Sequence, residues 1–207
     1  MALLVRAVAP RKAPRACRSG GRSPPVRGPR RRGRRVRRAQ RILDPDRRDR
    51  PVTKKIFLEY DTGVRAVATL LEEHAPRTCE ALWGAFETPR TMQALHAMYA
   101  GPEVMVGLPE EAQNFDPQTV PFENQQVVPA PGDLMWYWQQ PMQMGGLPFE
   151  WYEVGVFYDR GARVLGPLGW TPVNIWASVT EGLEEFARES AAIRIDGAKK
   201  LTIGRVS

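Results

Sequence analysis

From Lys54 onward the apolar positions follow the period of a strand: Ile56, Leu58 and Tyr60 fall on one side of KKIFLEY, with Lys55, Phe57 and Glu59 on the other. DTG turns the chain, and Val64, Ala66, Ala68 and Leu70 resume the alternation, which predicts a β-hairpin. In HAPRTCEALWGAF the period changes. Cys79, Leu82, Trp83 and Phe86 are spaced for one helical face, and Pro76 suits the first helical position. TMQALHAMYA and PEVMVGLP predict a second hairpin turning at Ala100, Gly101 and Pro102. The segment from Pro109 to Pro131 holds five prolines and little periodicity, the mark of a lid or binding loop. DLMWYWQ and EWYEVGVFYDR predict two strong strands joined by a Met- and Gly-rich loop, and RVLGPLGW a shorter one. In DLMWYWQ, Leu134, Trp136 and Trp138 share one face and Met135 and Tyr137 the other, so both faces demand cover. The spacing of Ser178 and Glu181 reads as a capping box opening a helix over 178–197, ended by Gly197; KKLTIGRV is a last strand or a tail. The expected class is mainly β: a barrel or bent sheet with two capping helices, one of them C-terminal.

Composition divides the chain in two. Residues 1–50 hold eighteen Arg and Lys against three Asp and no Phe, Tyr or Trp, whereas the remainder holds twelve basic against twenty acidic residues. Residues 1–52 carry too little apolar surface to offset the entropy of ordering and are read as a disordered tail, leaving 53–207 as one domain. The tail admits two readings. It may be excluded from the native protein, with Val52 as the true start, which is the favoured reading; otherwise it offers phosphate neutralisation, the only route to nucleic acid here. No run is long enough to span a bilayer and MALLVRAVAP is too short for a secretory signal, so a cytoplasmic protein is expected. Two Cys and two His at unrelated spacing give no metal pattern, and Cys79 on its apolar stripe is expected to be buried and inert.

The ordered set APRTCEALW, HAMYAGPEVMV, ENQQVVPAPGDL, EWYEVGVFYDR, GPLGW and VTEGLEEFARESAA resembles the bacterial cyclophilin-like family that includes cucumopine and mikimopine synthase, from Lys54 to about Lys200. The resemblance implies a closed cyclophilin-like β-barrel with a C-terminal helical element. For the opine synthases it implies a cofactor-free condensation, in which the amine of an amino acid forms an imine with a 2-oxo acid and the aromatic ring closes onto it. The Arg, Phe and Gln motifs of proline isomerases are not found here, so isomerase activity does not follow from the fold.

Such a condensation needs an acid to remove water from the carbinolamine and a base to take the ring proton. Period two places Glu153 with Trp151, Gly155 and Phe157, where lost hydration raises a carboxyl pKa; the alternative is an outer face with Glu153 solvated or paired to Arg163. His96, on an apolar face with Met92, Ala94 and Met98, is either a satisfied core histidine or, by its place in the matching segment, the partner of Glu153. For the substrate the candidates are Tyr99, Trp83 and Trp138 as stacking walls, Arg163 as a carboxylate anchor and, from its place in a matching segment, Asn124. The functional alternatives are a small-molecule enzyme using Glu153 and His96 without metal or cofactor, and a non-catalytic small-molecule-binding protein.

Overall fold

A computed structural model describes residues 53–145 and 147–206. The basic tail, residues 1–52, lies outside the described residues. The chain runs through β1 (Lys55–Tyr60), β2 (Arg65–Leu70), α1 (Pro76–Ala85), β3 (Arg90–His96) and β4 (Glu103–Gly107). After 3-10 turns at Glu110–Ala112 and Pro117–Thr119 come β5 (Gln125–Gln126), β6 (Asp133–Gln139), β7 (Trp151–Phe157), β8 (Leu165–Gly166) and β9 (Gly169–Trp170). It ends with β10 (Val173–Glu181), α2 (Leu183–Asp196) and β11 (Lys199–Arg205).

Eight antiparallel strands pair in the order β2-β1-β11-β3-β4-β7-β6-β10, and β10 pairs back onto β2, closing the sheet into a barrel. The two-residue β5 adds to the outer edge of β10, and β8 with β9 forms a separate ribbon. Alternation along each strand points Ile56, Leu58, Ala68, Val104, Val154, Leu134, Trp176 and Ile203 into one continuous core, in which each large apolar side chain contributes roughly 1.5–3 kcal/mol by leaving water. α1 closes one end, where Phe86 lies 6.4 Å from Trp176 and the Cys79 thiol donates to the Trp176 carbonyl at 3.1 Å. α2 closes the other end: Phe186 stacks on Tyr60 at 5.0 Å, and the Tyr60 and Ser190 hydroxyls are 2.8 Å apart. The expected closed barrel with two capping helices is the fold the chain adopts.

Three local expectations are corrected. The helix expected over 178–197 begins only at Leu183, because Ser178 and Glu181 belong to β10, opposite Asp133 on β6 and Val67 on β2. Gly182 then makes the sharp strand-to-helix turn at φ +77°, and a Cβ there would strike the Arg65 carbonyl oxygen. RVLGPLGW yields a two-residue ribbon, while the long strand that follows, VNIWASVTE, was hidden by the capping-box reading. Finally, β3 stops at His96, so Met98 is not its face-mate: it stands in the turn, 83% exposed.

Candidate functional site

At the α1 end of the barrel the wall opens into a cleft of about 920 Å³. Its aromatic lining is Trp136, Tyr137 and Trp138 of β6 with Phe122 and Trp170 from the bordering loops; its polar lining includes Gln118, Gln125, Gln140, Gln143 and Asn174. The proline-rich segment forms one rim, and it is anchored. The Glu123 carboxylate accepts from the backbone N–H groups of Arg77 and Thr78 at 3.1 and 2.9 Å and from the Thr78 hydroxyl at 2.8 Å, so it caps α1. Asn174 closes the same junction, donating to the Pro121 carbonyl at 2.8 Å and to the Thr78 hydroxyl at 3.0 Å.

Trp136 faces inward, tilted against Phe115 at 5.3 Å and Tyr152 at 5.8 Å, and is almost fully buried. Trp138, one turn of the pleat further on, is only partly buried, and its indole N–H donates to Glu150 at 3.3 Å. Tyr137 points to the outer face, and its hydroxyl accepts from Gln143 at 3.2 Å.

Glu153 stands directly across from Tyr137 and, on its other side, from Gly107. It therefore shares the outer face of the barrel wall. It is partly buried there. Its half-buried carboxyl accepts from the Trp151 indole N–H at 3.1 Å, while the Trp151 ring lies over Gly107, where a Cβ would come within 2.6 Å of it. Beside it lies a second carboxyl, that of Glu103, 2% exposed, with its Oε1 hydrogen-bonded to nothing among the described residues. Glu103 occupies the space that Gly155 leaves: a Cβ at Gly155 would collide with Glu103 Oε1 and approach Met135 Cε to 2.7 Å. Burial pushes Glu153 up to about 7, against the pull of the Trp151 hydrogen bond. Burial, and then the neighbouring Glu153, hold Glu103 well above the usual carboxylate range. Burial and the Glu153 charge likewise raise Tyr137. Two neighbouring carboxyls that burial raises hold their protons more tightly than free carboxyls do, the property a general acid or base needs.

The expected partnership of Glu153 with His96 is corrected by strand register. His96 pairs with Val104 and so faces inward, whereas Glu153 pairs with Gly107 and faces outward. They also sit toward opposite ends of the barrel, His96 beneath α2. Its Nδ1 lies 2.8 Å from the Ala97 carbonyl oxygen, which can only accept, so Nδ1 carries the hydrogen. Nε2 accepts from Arg194 Nε at 2.9 Å and from the Tyr158 hydroxyl at 2.7 Å. Burial lowers its pKa, the Arg194 charge adds to this and the Ala97 bond opposes it, leaving a neutral, fully engaged structural histidine.

The substrate candidates separate similarly. Trp138 lines the cleft. Asn124 borders its rim but spends its amide on the Ile175 carbonyl at 2.9 Å, holding a left-handed backbone at φ +43°. Trp83 is covered by Lys54 and Arg205, whose charges lie 5.6 and 4.5 Å from its ring centroid, and Arg205 also donates to its carbonyl at 2.6 and 2.9 Å. Tyr99 is exposed in the β3–β4 turn at the α2 end, and Arg163 is exposed outside the cleft lining and forms no ion pair with Glu153. Sequence reading missed Glu103, a charged position in a short strand whose burial only cross-strand register reveals; it also assigned Tyr137 to packing. Burial pushes the Cys79 thiol up to about 12, so it is no nucleophile. Among the described residues no group of three or more His, Cys, Asp or Glu could hold a metal ion, and no helix is long and apolar enough to cross a membrane.

A comparison with curated protein sequences gives no match. Among solved structures, McbB in complex with tryptophan is similar at 18% identity and a TM-score of 0.52, over 72% of this chain and 44% of that one. The chain thus spans less than half of McbB, and the likeness is one of fold. A hypothetical protein from Archaeoglobus fulgidus is 17% identical over 76% of this chain and 98% of that one, with a TM-score of 0.45. The Mimivirus cyclophilin is 13% identical over 76% and 89%, with a TM-score of 0.48. By sequence, residues 58–204 match the protein family of unknown function DUF3830, and this chain, its barrel included, belongs to that family.

Proposed function

We propose that the protein is a small-molecule enzyme, similar to the opine synthases, that condenses a ring-bearing amine such as an amino acid with a carbonyl compound such as a 2-oxo acid. The observation that carries this reading is the position of Tyr137: it lines an aromatic cleft on one side and stands across the strand from the half-buried Glu153 on the other. The structural neighbour McbB, whose complex holds tryptophan, supports a small-molecule guest on this type of barrel.

In the reaction the amine adds to the carbonyl, the carbinolamine loses water to give an imine, and the ring carbon attacks the imine carbon. Glu153, titrating at about 7, supplies the proton that leaves with water and afterwards takes the proton from the ring carbon, so one carboxyl serves both transfers. Trp138 and Trp170 stack on the ring and hold it near the imine carbon. Burial keeps the Glu153 carboxyl protonated up to about neutral pH, and Glu153 in turn helps to raise its buried neighbour Glu103.

The test is incubation of the full chain with amines or amino acids and 2-oxo acids or aldehydes, watching by mass for a product equal to the sum of the two less one water. Glu153→Gln should abolish turnover, by two to four orders of magnitude for loss of a general acid and base, and leave binding intact. A second reading, a non-catalytic binding protein, is favoured by one observation: Glu153 lies behind Tyr137 and is not itself part of the cleft lining. In that case no condensation product forms with any pair, and Glu153→Gln leaves ligand affinity unchanged.

A further inference from the structure

The charges around the cleft are of one sign. Among the described residues that line it, none carries a formal charge. The charged groups that adjoin the lining are carboxylates, Glu150, which accepts from the Trp138 indole, and Asp116, which accepts from the backbone N–H of Gln118 at 2.9 Å; the acidic Glu153 stands across the strand from Tyr137. The cations that would hold an anion are elsewhere. Arg77 lines an adjoining notch beyond Val120 and is paired with Glu80 at 2.8 Å, and Arg163 is exposed outside the lining. The α1 N-terminus, another natural carboxylate holder, is already occupied by Glu123. What remains is a neutral pocket of five aromatic rings and several side-chain amides with an acidic fringe.

We propose that this cleft selects ring-bearing organic cations, namely arylalkyl amines that lack a carboxylate, over anions and zwitterions carrying the same ring. The proposal rests on reading the cleft as a small-molecule site, and it narrows the substrate class of that site to amines in place of amino acids and, for the carbonyl partner, to aldehydes in place of 2-oxo acids. The faces of Tyr137, Trp138 and Trp170 attract an ammonium group through their ring quadrupoles, and the fringe carboxylates add long-range attraction. A carboxylate entering the same space would lose its hydration, gain no Arg or Lys partner, and meet charges of its own sign. The amides of Gln118, Gln125, Gln140 and Gln143 donate and accept without preference for charge, so they orient a guest without reversing this selection.

Four probes on one ring test it: tryptamine, tryptophol, tryptophan and indole-3-propionate, titrated calorimetrically into the full chain at low and high salt. The expected order is tryptamine tightest, at least about ten-fold tighter than tryptophol, with tryptophan weaker than tryptamine and indole-3-propionate weakest of all. Raising the salt should narrow the gap between tryptamine and tryptophol. Glu150→Gln, a conservative change at an exposed side chain, should narrow the same gap, and Trp138→Phe should weaken every probe. Tryptophan or indole-3-propionate binding as tightly as tryptamine overturns the proposal, as does no measurable binding of any probe. Tryptamine bound in the expected order but never converted with an aldehyde or 2-oxo acid leaves the selection standing and removes the catalytic reading. Tryptophan bound more tightly than tryptamine and turned over does the reverse.

Discussion

Glu153 and Glu103 illustrate how much a single carboxyl owes to its neighbours. Each is raised, chiefly by burial, and in Glu103 also by the facing Glu153. The titratable groups that interact with the pair are few: Tyr137 on β6, beside the two carboxyls themselves on β4 and β7. Replacing Glu153 by Gln removes the like charge that helps hold Glu103 up, so Glu103 should titrate at lower pH; carbon-13 NMR of the labelled carboxyls reads this without any substrate, and an unmoved Glu103 would refute the pairing. The same shifts link to stability. A carboxyl with its pKa raised in the fold binds its proton more tightly folded than unfolded, so stability is fully present near the ordinary value of 4.5 and is lost as pH rises toward about 7. A Glu103→Gln, Glu153→Gln double variant has no such loss. Its melting temperature relative to the native chain should therefore climb between those two pH values; a constant offset would mean that the carboxyls are hydrated in solution.

The junction of β10 and α2 separates what local pattern conveys from what it cannot. Ser178 and Glu181 have the spacing of a capping box, and nothing within VTEGLEEF contradicts a helix. The outcome is settled by partners distant in sequence: β10 lies between β2 and β6, and its backbone groups are consumed by those ladders before Gly182 turns the chain. Alternation and helical spacing did convey β1, β2, α1, β6 and β7, because in these a single period runs along the whole element. Trp138, near the end of its strand, was legible as a cleft residue; the sides of the wall that Glu153, His96 and Glu103 occupy were not, since strand register decides them and register is not a local property. The junction gives a clean comparison. Gly182 and Gly197 both have positive φ, at +77° and +89°, but a Cβ at Gly182 would strike the Arg65 carbonyl whereas one at Gly197 meets open space. Gly182→Ala should therefore cost more stability than Gly197→Ala in urea unfolding, where strain alone is expected to cost about 1 kcal/mol; equal costs would mean that the β2–α2 contact yields freely.

Closure of the barrel depends on its last strand. β11, at the C-terminal end of the chain, is inserted between β1 and β3, so residues separated by almost the entire domain form one wall. Leu201 and Ile203 of β11 are fully buried in the core, and Arg205 extends from the strand to tie down the C-terminal end of α1 through the Trp83 carbonyl. Removing 199–207 would leave β1 and β3 as facing open edges, with unpaired N–H and C=O groups bordering an exposed core. The other strands keep their neighbours in that truncated chain: β1 with β2, β3 with β4, β4 with β7, β6 with β10 and β10 with β2. The expected state is thus an opened, partly ordered sheet that binds hydrophobic dye and unfolds without a sharp transition, not an unstructured chain. A peptide of residues 198–207 added in trans should re-enter the gap by strand addition and restore both a cooperative melt and the binding of cleft ligands. A shuffled peptide of the same composition should do neither, because Leu201 and Ile203 must face inward in register with Tyr60 and Leu58. If the truncated chain instead melts as sharply as the intact one, the cleft end is held by α1 and the β6–β7–β10 wall alone, and closure through β11 plays no part in shaping the site.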